Sequence, residues 1–586
     1  MSIQTPPRPQ STASDGRVAA PRHSLPDAGS EHRTAEADPT RTPAGPDRRR
    51  ARAVAARVTT VLAGALVLVA LTVPSRPGQL TPAAFLRIPL EGLLVAALLL
   101  ALPGRARRLV AAATGTLLAL LTVLKLADLG FRSALGRPFD LVLDWALLDD
   151  AVGFLTDSFG RAGGTGAVVG VLVLVVVLVL ALAAAVLRLA GLAGRHGVGA
   201  RRVVAALVVL WVAAAAAGIR VAPGVPVADT AATALVRDHA RQAQARLRDR
   251  EAFTAQVGAD PFRHTPGAEL LTALRGKDVI VAFVESYGRD AVEDPEFARV
   301  GEVLDAGTER LRAAGFGARS GFLTSPTTGG GSWLAHDTLL SGLWIDNEQR
   351  HRSLLASDRL TLGGAFRRAG WDTVGVMPAA TQPWPEGSFF GYDRYYDAAG
   401  LDYQGPKFSY APMPDQYTLA TFQRRERDVA DRPPLMAEIP LISSHSPWTR
   451  IPKVIDWTAV GDGSVYHDAA VSNPKSQPRV GYRKAVEYSL RTLISYLETY
   501  GDRDLVLVFL GDHQPAPVVT GDDASRDVPV SIVAADPAVL DRIAGWGWQD
   551  GLRPGPEAPV WPMDAFRDRF LTAFSADPPA GRAHGR

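Results

Sequence analysis

The 586-residue chain contains no cysteine. Disulfides, thiolate zinc sites and a cysteine nucleophile are therefore excluded. An excess of charge of either sign is also lacking. The 63 Lys and Arg residues against 60 Asp and Glu leave a formal net charge of +3, which gives no electrostatic reason to expect nucleic acid as a partner. Large apolar side chains are nearly missing from residues 1–55, which are rich in Pro, Arg, Ser, Asp and Thr. Such a stretch cannot offset its ordering entropy, so a disordered tail is expected there and again over 576–586. The first tail is too long and polar for a signal peptide.

The apolar residues are bunched, and mean hydropathy is +0.05. Five apolar runs lie at about 58–74, 88–103, 109–127, 166–187 and 203–219. A spanning helix needs roughly 20 such residues, so five spans are expected, the second being short. Arg48, Arg49, Arg50, Arg52 and Arg57 precede the first run. Arg105, Arg107 and Arg108 follow the second, and Arg188, Arg195, Arg201 and Arg202 follow the fourth. These clusters fall on one side, which the positive-inside rule makes cytoplasmic. An odd number of spans then places everything after about 220 outside the cytoplasmic membrane. The acid-rich loop containing Asp140, Asp144, Asp149, Asp150 and Asp157 suggests an interfacial amphipathic helix over 139–157. Glu91 lies one turn beyond Arg87, and the spacing predicts that the two pair.

Residues 228–257 read as an exposed helical linker. From about 276 the pattern alternates between strand and helix. Apolar strands are expected at 278–284, 372–377, 435–442, 505–510 and 528–533, with helices at 333–343, 360–369 and 483–499. This predicts an α/β fold with a mostly parallel sheet. The expected organisation is a membrane bundle over 56–220, a helical linker over 221–275 and an external catalytic domain over 276–575.

Two of these strands end abruptly in ligating side chains. One runs into Glu285 and Ser286, the other into Asp512 and His513. In open α/β sheets chemistry collects at the carboxyl ends of the strands. Two carboxylates and an imidazole meeting there suit a divalent metal. Between them lies Gly329-Gly330-Gly331-Ser332 at an expected helix start. Free amides favour an anion at such a position, and a hydroxyl beside a metal can attack phosphorus. Taken alone, Ser332 would be only a helix cap; with Glu285, Asp512 and His513 it becomes a nucleophile candidate. His336, one turn further on, is placed to face the phosphate or to pack. Trp333, Trp344 and Trp371 read as core, and Asp337 as solvated.

Acid after the first strand, a hydroxyl opening a helix that runs into Leu339-Leu340-Ser341-Gly342, and a late Gly511-Asp512-His513 resemble the alkaline phosphatase/sulfatase superfamily. In sulfatases the nucleophile lies ten residues before the Gly of the Leu-Leu-Thr-Gly segment, as Ser332 does before Gly342. The membrane anchor with an external domain resembles the lipoteichoic-acid synthase group of phosphoglycerol transferases. So do Ser444-His445-Ser446-Pro447-Trp448 and the stretch Phe390-Gly391-Tyr392-Asp393. The resemblance covers roughly residues 57–575. It implies that Glu285, Ser332, Asp512 and His513 hold one divalent ion, Mn²⁺ or Mg²⁺, with Ser332 both ligand and nucleophile. His445 would contact the substrate phosphate or its leaving oxygen, and Trp384 would help wall the pocket. The implied partners are a membrane lipid donor and an envelope glycan or glycolipid acceptor.

The chain departs from that group in two places. The nucleophile is Ser rather than Thr, and the Arg that should follow the Trp near Trp384 is absent. A sulfatase is disfavoured, because Ser332 is followed by Trp-Leu-Ala-His and lacks the Pro/Ala and Arg that precede formylglycine formation. A second metal would need more ligands, and only His336 and His467 are candidates. The alternatives are a membrane-anchored phosphodiesterase or phosphatase, and a catalytically decayed membrane sensor.

Overall fold

The computed structural model describes residues 46–381, 384, 386–408, 410–467, 470–472, 477–521 and 524–576. Of the tails expected over 1–55 and 576–586, residues 1–45 and 577–586 lie outside the described residues, while 46–55 are helical. The chain divides into two compact units, Met1–Thr59 and Thr60–Arg586. The described part of the first is helical from Pro46, and Thr59 Oγ1 there donates to the Ala55 carbonyl at 2.8 Å. Apart from the start of α1, the rest of the description concerns the second unit.

Among the described residues four helices are long and apolar enough to cross a membrane: Arg50–Thr72, Gly104–Leu135, Gly160–Arg195 and Gly197–Ala216. They belong to α1 (Pro46–Thr72), α3 (Gly104–Leu135), α4 (Ala146–Arg195, broken at Gly160) and α5 (Gly197–Ala216). The run expected to supply another span forms only the 12-residue α2 (Leu90–Ala101). At 1.5 Å per residue that is about 18 Å of helix against a hydrocarbon core of about 30 Å. Pro89 and Pro103 bracket it and stop the helix from extending. Of the segment expected to form an interfacial helix over 139–157, residues 141–145 are a turn and 146–157 are helical, in the part of α4 that precedes its break at Gly160. Helices α3 and α4 pack at Gly115, where a Cβ would come within 2.6 Å of Ala183 Cα, so only glycine permits the approach.

The expected Glu91–Arg87 pair does not form. Glu91 Oε1 instead accepts from the backbone N and Oγ1 of Thr233 at 2.9 and 2.8 Å, while Arg87 pairs with Asp229 at 3.3 Å. Ala231–Gly258, with no glycine before its last residue, forms α6, but this helix is not a free linker. Ala232, Leu235, His239 and Phe253 are buried, His239 Nε2 meets Asp128 Oδ2 at 3.1 Å, and Arg350 pairs with Asp249. The apolar and charged faces of α6 each find a partner.

Nine strands form one sheet: β1 (Asp278–Val284), β2 (Gly317–Thr324), β3 (Asp372–Val376), β4 (Arg394–Tyr396), β5 (Leu435–Leu441), β6 (Leu505–Gly511), β7 (Asp527–Ala534), β8 (Gln549–Asp550) and β9 (Val560–Pro562). Their order is β8-β2-β7-β6-β1-β5-β3-β4, with β9 also on β2. The sheet is mixed rather than mostly parallel. β6, β1, β5, β3 and β4 run parallel, whereas β7 is antiparallel to both β6 and β2. Among its described residues the stretch between β6 and β7 holds only the four-residue helix Pro517–Thr520, and β7 returns antiparallel to β6.

Every residue of β1 and β6 is buried, which is why both read as continuous apolar runs. Val279, Val281 and Phe283 face one core, packed against Leu339, Phe366 and Phe570. Ile280, Ala282 and Val284 face the other, with Leu304, Val486 and Leu490. Helices therefore cover both faces, and the strand ends stay open for a site.

Candidate active site

Three adjacent parallel strands end level with one another. Val284 lies opposite Gly511 on one side and Leu441 on the other. The residues immediately beyond are Glu285, Asp512 and, after Ile442 and Ser443, Ser444-His445. Register alone thus brings the two acids together. A Cβ on Gly511 would lie 1.8 Å from the Tyr287 carbonyl, so glycine is needed before Asp512. Ser286 turns the chain away from β1 at φ 56°, an uncommon backbone for a non-glycine residue. The turn is held by Asp512 Oδ1, which accepts from the Ser286 and His513 backbone amides, each at 2.7 Å.

The ligating atoms of Glu285, Asp512 and His513 all lie within 4.8 Å of one another. Ser332, at the first turn of α8 (Ser332–Ser341), is the fourth member. Its Oγ donates to Glu285 Oε2 at 3.2 Å and stands 3.3 Å from His513 Nε2. Atoms around an ion at about 2.1 Å sit roughly 3 to 4 Å apart, so this spacing fits a single divalent cation. The donor set of two carboxylates, one imidazole and one hydroxyl suits a hard or borderline metal. His513 Nδ1 contacts the Gln514 carbonyl at 2.8 Å, which leaves the Nε2 lone pair facing the other ligands. Ser286 Oγ donates to Glu285 Oε1 at 2.7 Å.

Glu285 is 7% exposed, and Asp512 and His513 are each 1% exposed. Burial opposes ionisation of Glu285, but His445 and His513 outweigh it and hold the carboxyl below its usual range. Burial and the neighbouring Glu285 charge push Asp512 the other way. Two buried acids this close repel unless a cation joins them.

The glycines before Ser332 are used. Gly329, Gly330 and Gly331 all have positive φ, at 73°, 156° and 77°. Gly329 N donates to the Gln514 carbonyl at 2.8 Å, so the nucleophile's loop is stitched to the Asp512-His513 segment. On the other side the loop touches the end of α3. A Cβ on Gly329 would lie 1.9 Å from the Ala134 carbonyl, and one on Gly330 would lie 3.3 Å from the Leu135 side chain.

A cleft of about 400 Å³ opens beside Ser332, lined among others by Glu285, His336, Trp384, Tyr410, His445 and Asp512. The structure therefore brings all seven sequence-derived residues to one place except that His513 sits behind the cleft wall, against Ser332 and Glu285. His445 stacks on Tyr410 at 4.0 Å between ring centroids. Trp384 stacks on Phe390 at 5.6 Å. His467 is exposed and is not among the cleft residues.

Two expectations fail here. Trp333 is not core: it is 39% exposed and lines the cleft. Asp337 is not solvated: it is 1% exposed, and its Oδ2 meets His351 Nδ1 at 2.5 Å. Sequence reading also passed over Glu438, buried inside β5 and 2.9 Å from His336 Nδ1. A lone acid inside Leu-Met-Ala-Glu-Ile-Pro-Leu was the available signal, since a buried charge demands a partner.

No protein-family model and no curated protein matches this sequence. Solved structures similar to the chain include three proteins of low sequence identity. The lipoteichoic acid synthase LtaP from Listeria monocytogenes is 14% identical, over 53% of this chain and 74% of that one, with a TM-score of 0.37. A protein of the alkaline phosphatase superfamily from Vibrio parahaemolyticus is 14% identical, over 56% and 75%, with a TM-score of 0.34. The integral membrane lipooligosaccharide phosphoethanolamine transferase A from Neisseria meningitidis is 12% identical, over 84% and 87%, with a TM-score of 0.40.

Proposed function

We propose that this protein is a metal-dependent phosphotransferase on the outer face of the cytoplasmic membrane. It moves a phosphoglycerol-type group from a lipid donor to an envelope glycan or glycolipid through a Ser332-bound intermediate. The observation that carries this reading is the convergence of Glu285, Asp512 and His513 within 4.8 Å, with Ser332 Oγ beside them.

Glu285, Ser332, Asp512 and His513 would hold one divalent ion, Mn²⁺ or Mg²⁺. When bound, it lowers the hydroxyl pKa and neutralises phosphoryl charge. Ser332 Oγ attacks phosphorus, and the bond to the lipid alcohol breaks. The acceptor hydroxyl then attacks, and the bond to Ser332 breaks. Glu285 takes the hydrogen bond of the resting hydroxyl and orients it. The first amides of α8 point at the phosphoryl oxygens. His445 contacts the phosphate or its leaving oxygen, His336 the phosphate, and Trp384 walls the cleft.

The chain would make five membrane crossings, the second through α2 and its flanks. Arg87 donates to the Thr72 carbonyl, and Lys125 donates to the Ala70 and Leu71 carbonyls at 3.1 and 2.8 Å. Arg107 donates to the Leu102 carbonyl at 2.9 Å. Residues 107 and 125 are 125 − 107 = 18 positions apart on α3, about 27 Å along its axis. The stretch from Arg87 to Leu102 thus joins two levels of the bundle separated by nearly a bilayer's width. With the arginine-rich end cytoplasmic, the N-terminus is inside and the catalytic domain outside.

The test is transfer from labelled phosphatidylglycerol in membranes carrying the Ser332→Ala variant. Undiminished transfer ends this mechanism. Product analysis with and without a hydroxyl acceptor separates transferase from hydrolase, which would pass the group to water.

A further inference from the structure

Among the described residues that line the cleft there is no Arg or Lys. His336 offers a cation in their place. His336 lies one helical turn beyond Ser332, so both side chains project from the same face of α8. Its ring is held on one face and at one nitrogen. One face stacks on Phe283 with centroids 3.8 Å apart and planes at 13°. Nδ1 meets Glu438 Oε1 at 2.9 Å, and the other Glu438 oxygen accepts the Tyr392 hydroxyl. Glu438 is 1% exposed and Tyr392 is 8% exposed. With Nδ1 and one ring face occupied, Nε2 is the edge left toward the cleft that both His336 and Ser332 line.

We propose that His336 is the cation that holds the phosphoryl group in this protein, through Nε2, and that Glu438 and Tyr392 are its positioning residues. The inference rests on the phosphotransfer reading and deepens it by naming how the phosphate is held. A carboxylate behind an imidazole fixes ring orientation and favours the charged form. Burial works against that charge, but Glu438 and, further off, Asp512 and Asp337 raise the affinity of His336 for its proton. A buried carboxylate inside a strand would otherwise be costly, and Tyr392 with His336 accounts for both its oxygens.

The experiment uses the full chain loaded with Mn²⁺ and inorganic phosphate as probe. Phosphate binding is followed by competition against an aryl phosphodiester substrate, and the melting temperature of each variant is recorded. His336→Asn should weaken phosphate binding at least tenfold and lower kcat/KM by about 10²–10³-fold. Glu438→Gln keeps the side-chain volume and should cost about 10–100-fold in the same two quantities. Tyr392→Phe removes a single hydroxyl, so it guards against misfolding of the first two. It should move both quantities the same way by a smaller factor, at an unchanged melting temperature. Phosphate affinity and kcat/KM within twofold of wild type in His336→Asn and Glu438→Gln, while Ser332→Ala is inactive, overturns this inference alone. A wild-type protein that binds no phosphate, or an active Ser332→Ala, overturns the parent reading as well.

Discussion

The carbonyl of Ala134, near the end of a membrane helix, occupies the place where a Cβ on Gly329 would stand, at 1.9 Å. The membrane part of the chain therefore abuts the loop that presents Ser332. A substitution in this loop is felt on both sides, because Ala516 Cα lies 3.1 Å from the same point.

Gly329→Ala combines that clash with a positive φ of 73°. The left-handed backbone alone costs a non-glycine residue about 1–2 kcal/mol. The expected outcome is a lower melting temperature together with a larger loss of phosphotransfer, because the loop shifts Ser332. Urea or thermal unfolding beside a turnover assay checks it. An unchanged variant shows that the loop and α3 are not in contact.

Ser332→Ala should abolish turnover, by about 10³-fold or more, without loss of fold. Ser332 is the first residue of α8, whose N-cap is Gly331, and its Oγ is turned to Glu285 and His513, so its removal costs little helix stability. Circular dichroism should match wild type while product formation vanishes.

Added Mn²⁺ should raise the melting temperature of wild-type protein. An ion present at 100 times its Kd stabilises by about 2.7 kcal/mol. Glu285→Gln should lose most of this response, because it removes one charge from the only cluster of three or more potential ligands found among the described residues. An equal upward shift in both proteins places the ion elsewhere.

Asp415 supplies a pH test. It is fully buried, accepts from Ser443 N at 2.9 Å and Ser489 Oγ at 2.5 Å, and helps fix the chain leading to Ser444-His445. Burial pushes its carboxyl up to about 6, with those hydrogen bonds pulling weakly the other way. The folded state therefore holds this proton more tightly than the unfolded chain, whose value is about 3.9. The resulting stabilisation is complete below the unfolded value and is lost as pH rises through the folded one, about 3 kcal/mol in all. Relative to wild type, Asp415→Asn should gain stability between pH 4 and about 6 and hold that gain above. Denaturant unfolding at several pH values measures it, and a flat difference contradicts the assignment.

Gly115→Leu should disrupt the crossing of α3 on α4, since even a Cβ meets Ala183 backbone at 2.6 Å. Lower yield of folded protein in detergent is the expected result, and Gly130→Leu, where nothing lies within 4 Å of the added Cβ, is the control.

What could be read from sequence follows from what each pattern encodes. β1 and β6 were visible because strands buried on both faces are apolar throughout, and because the polar residues ending them stand out. Ser332 was visible through three glycines whose positive φ values the fold uses. β2 was missed, since Gly317-Ala318-Arg319-Ser320-Gly321 has neither alternation nor an apolar run. The antiparallel β7 was found as a strand, but its direction shows only in its pairing with β6, from Val506 opposite Ala534 to Leu510 opposite Val530. Glu91 was paired with Arg87 on helical spacing, yet Arg87 precedes the helix and reaches Asp229 instead. Glu438 and Tyr392 escaped because their partners are 102 and 46 residues away from them, respectively His336 (438 − 336) and Glu438 (438 − 392), and such separations leave no local mark.

The most direct test is the metal content of the purified full-length protein after loading with Mn²⁺ and removal of excess, for wild type and for Asp512→Asn. One ion per wild-type chain and almost none in the variant is the expected result. No ion in the wild type, or one retained unchanged in Asp512→Asn, contradicts a centre built from Glu285, Ser332, Asp512 and His513.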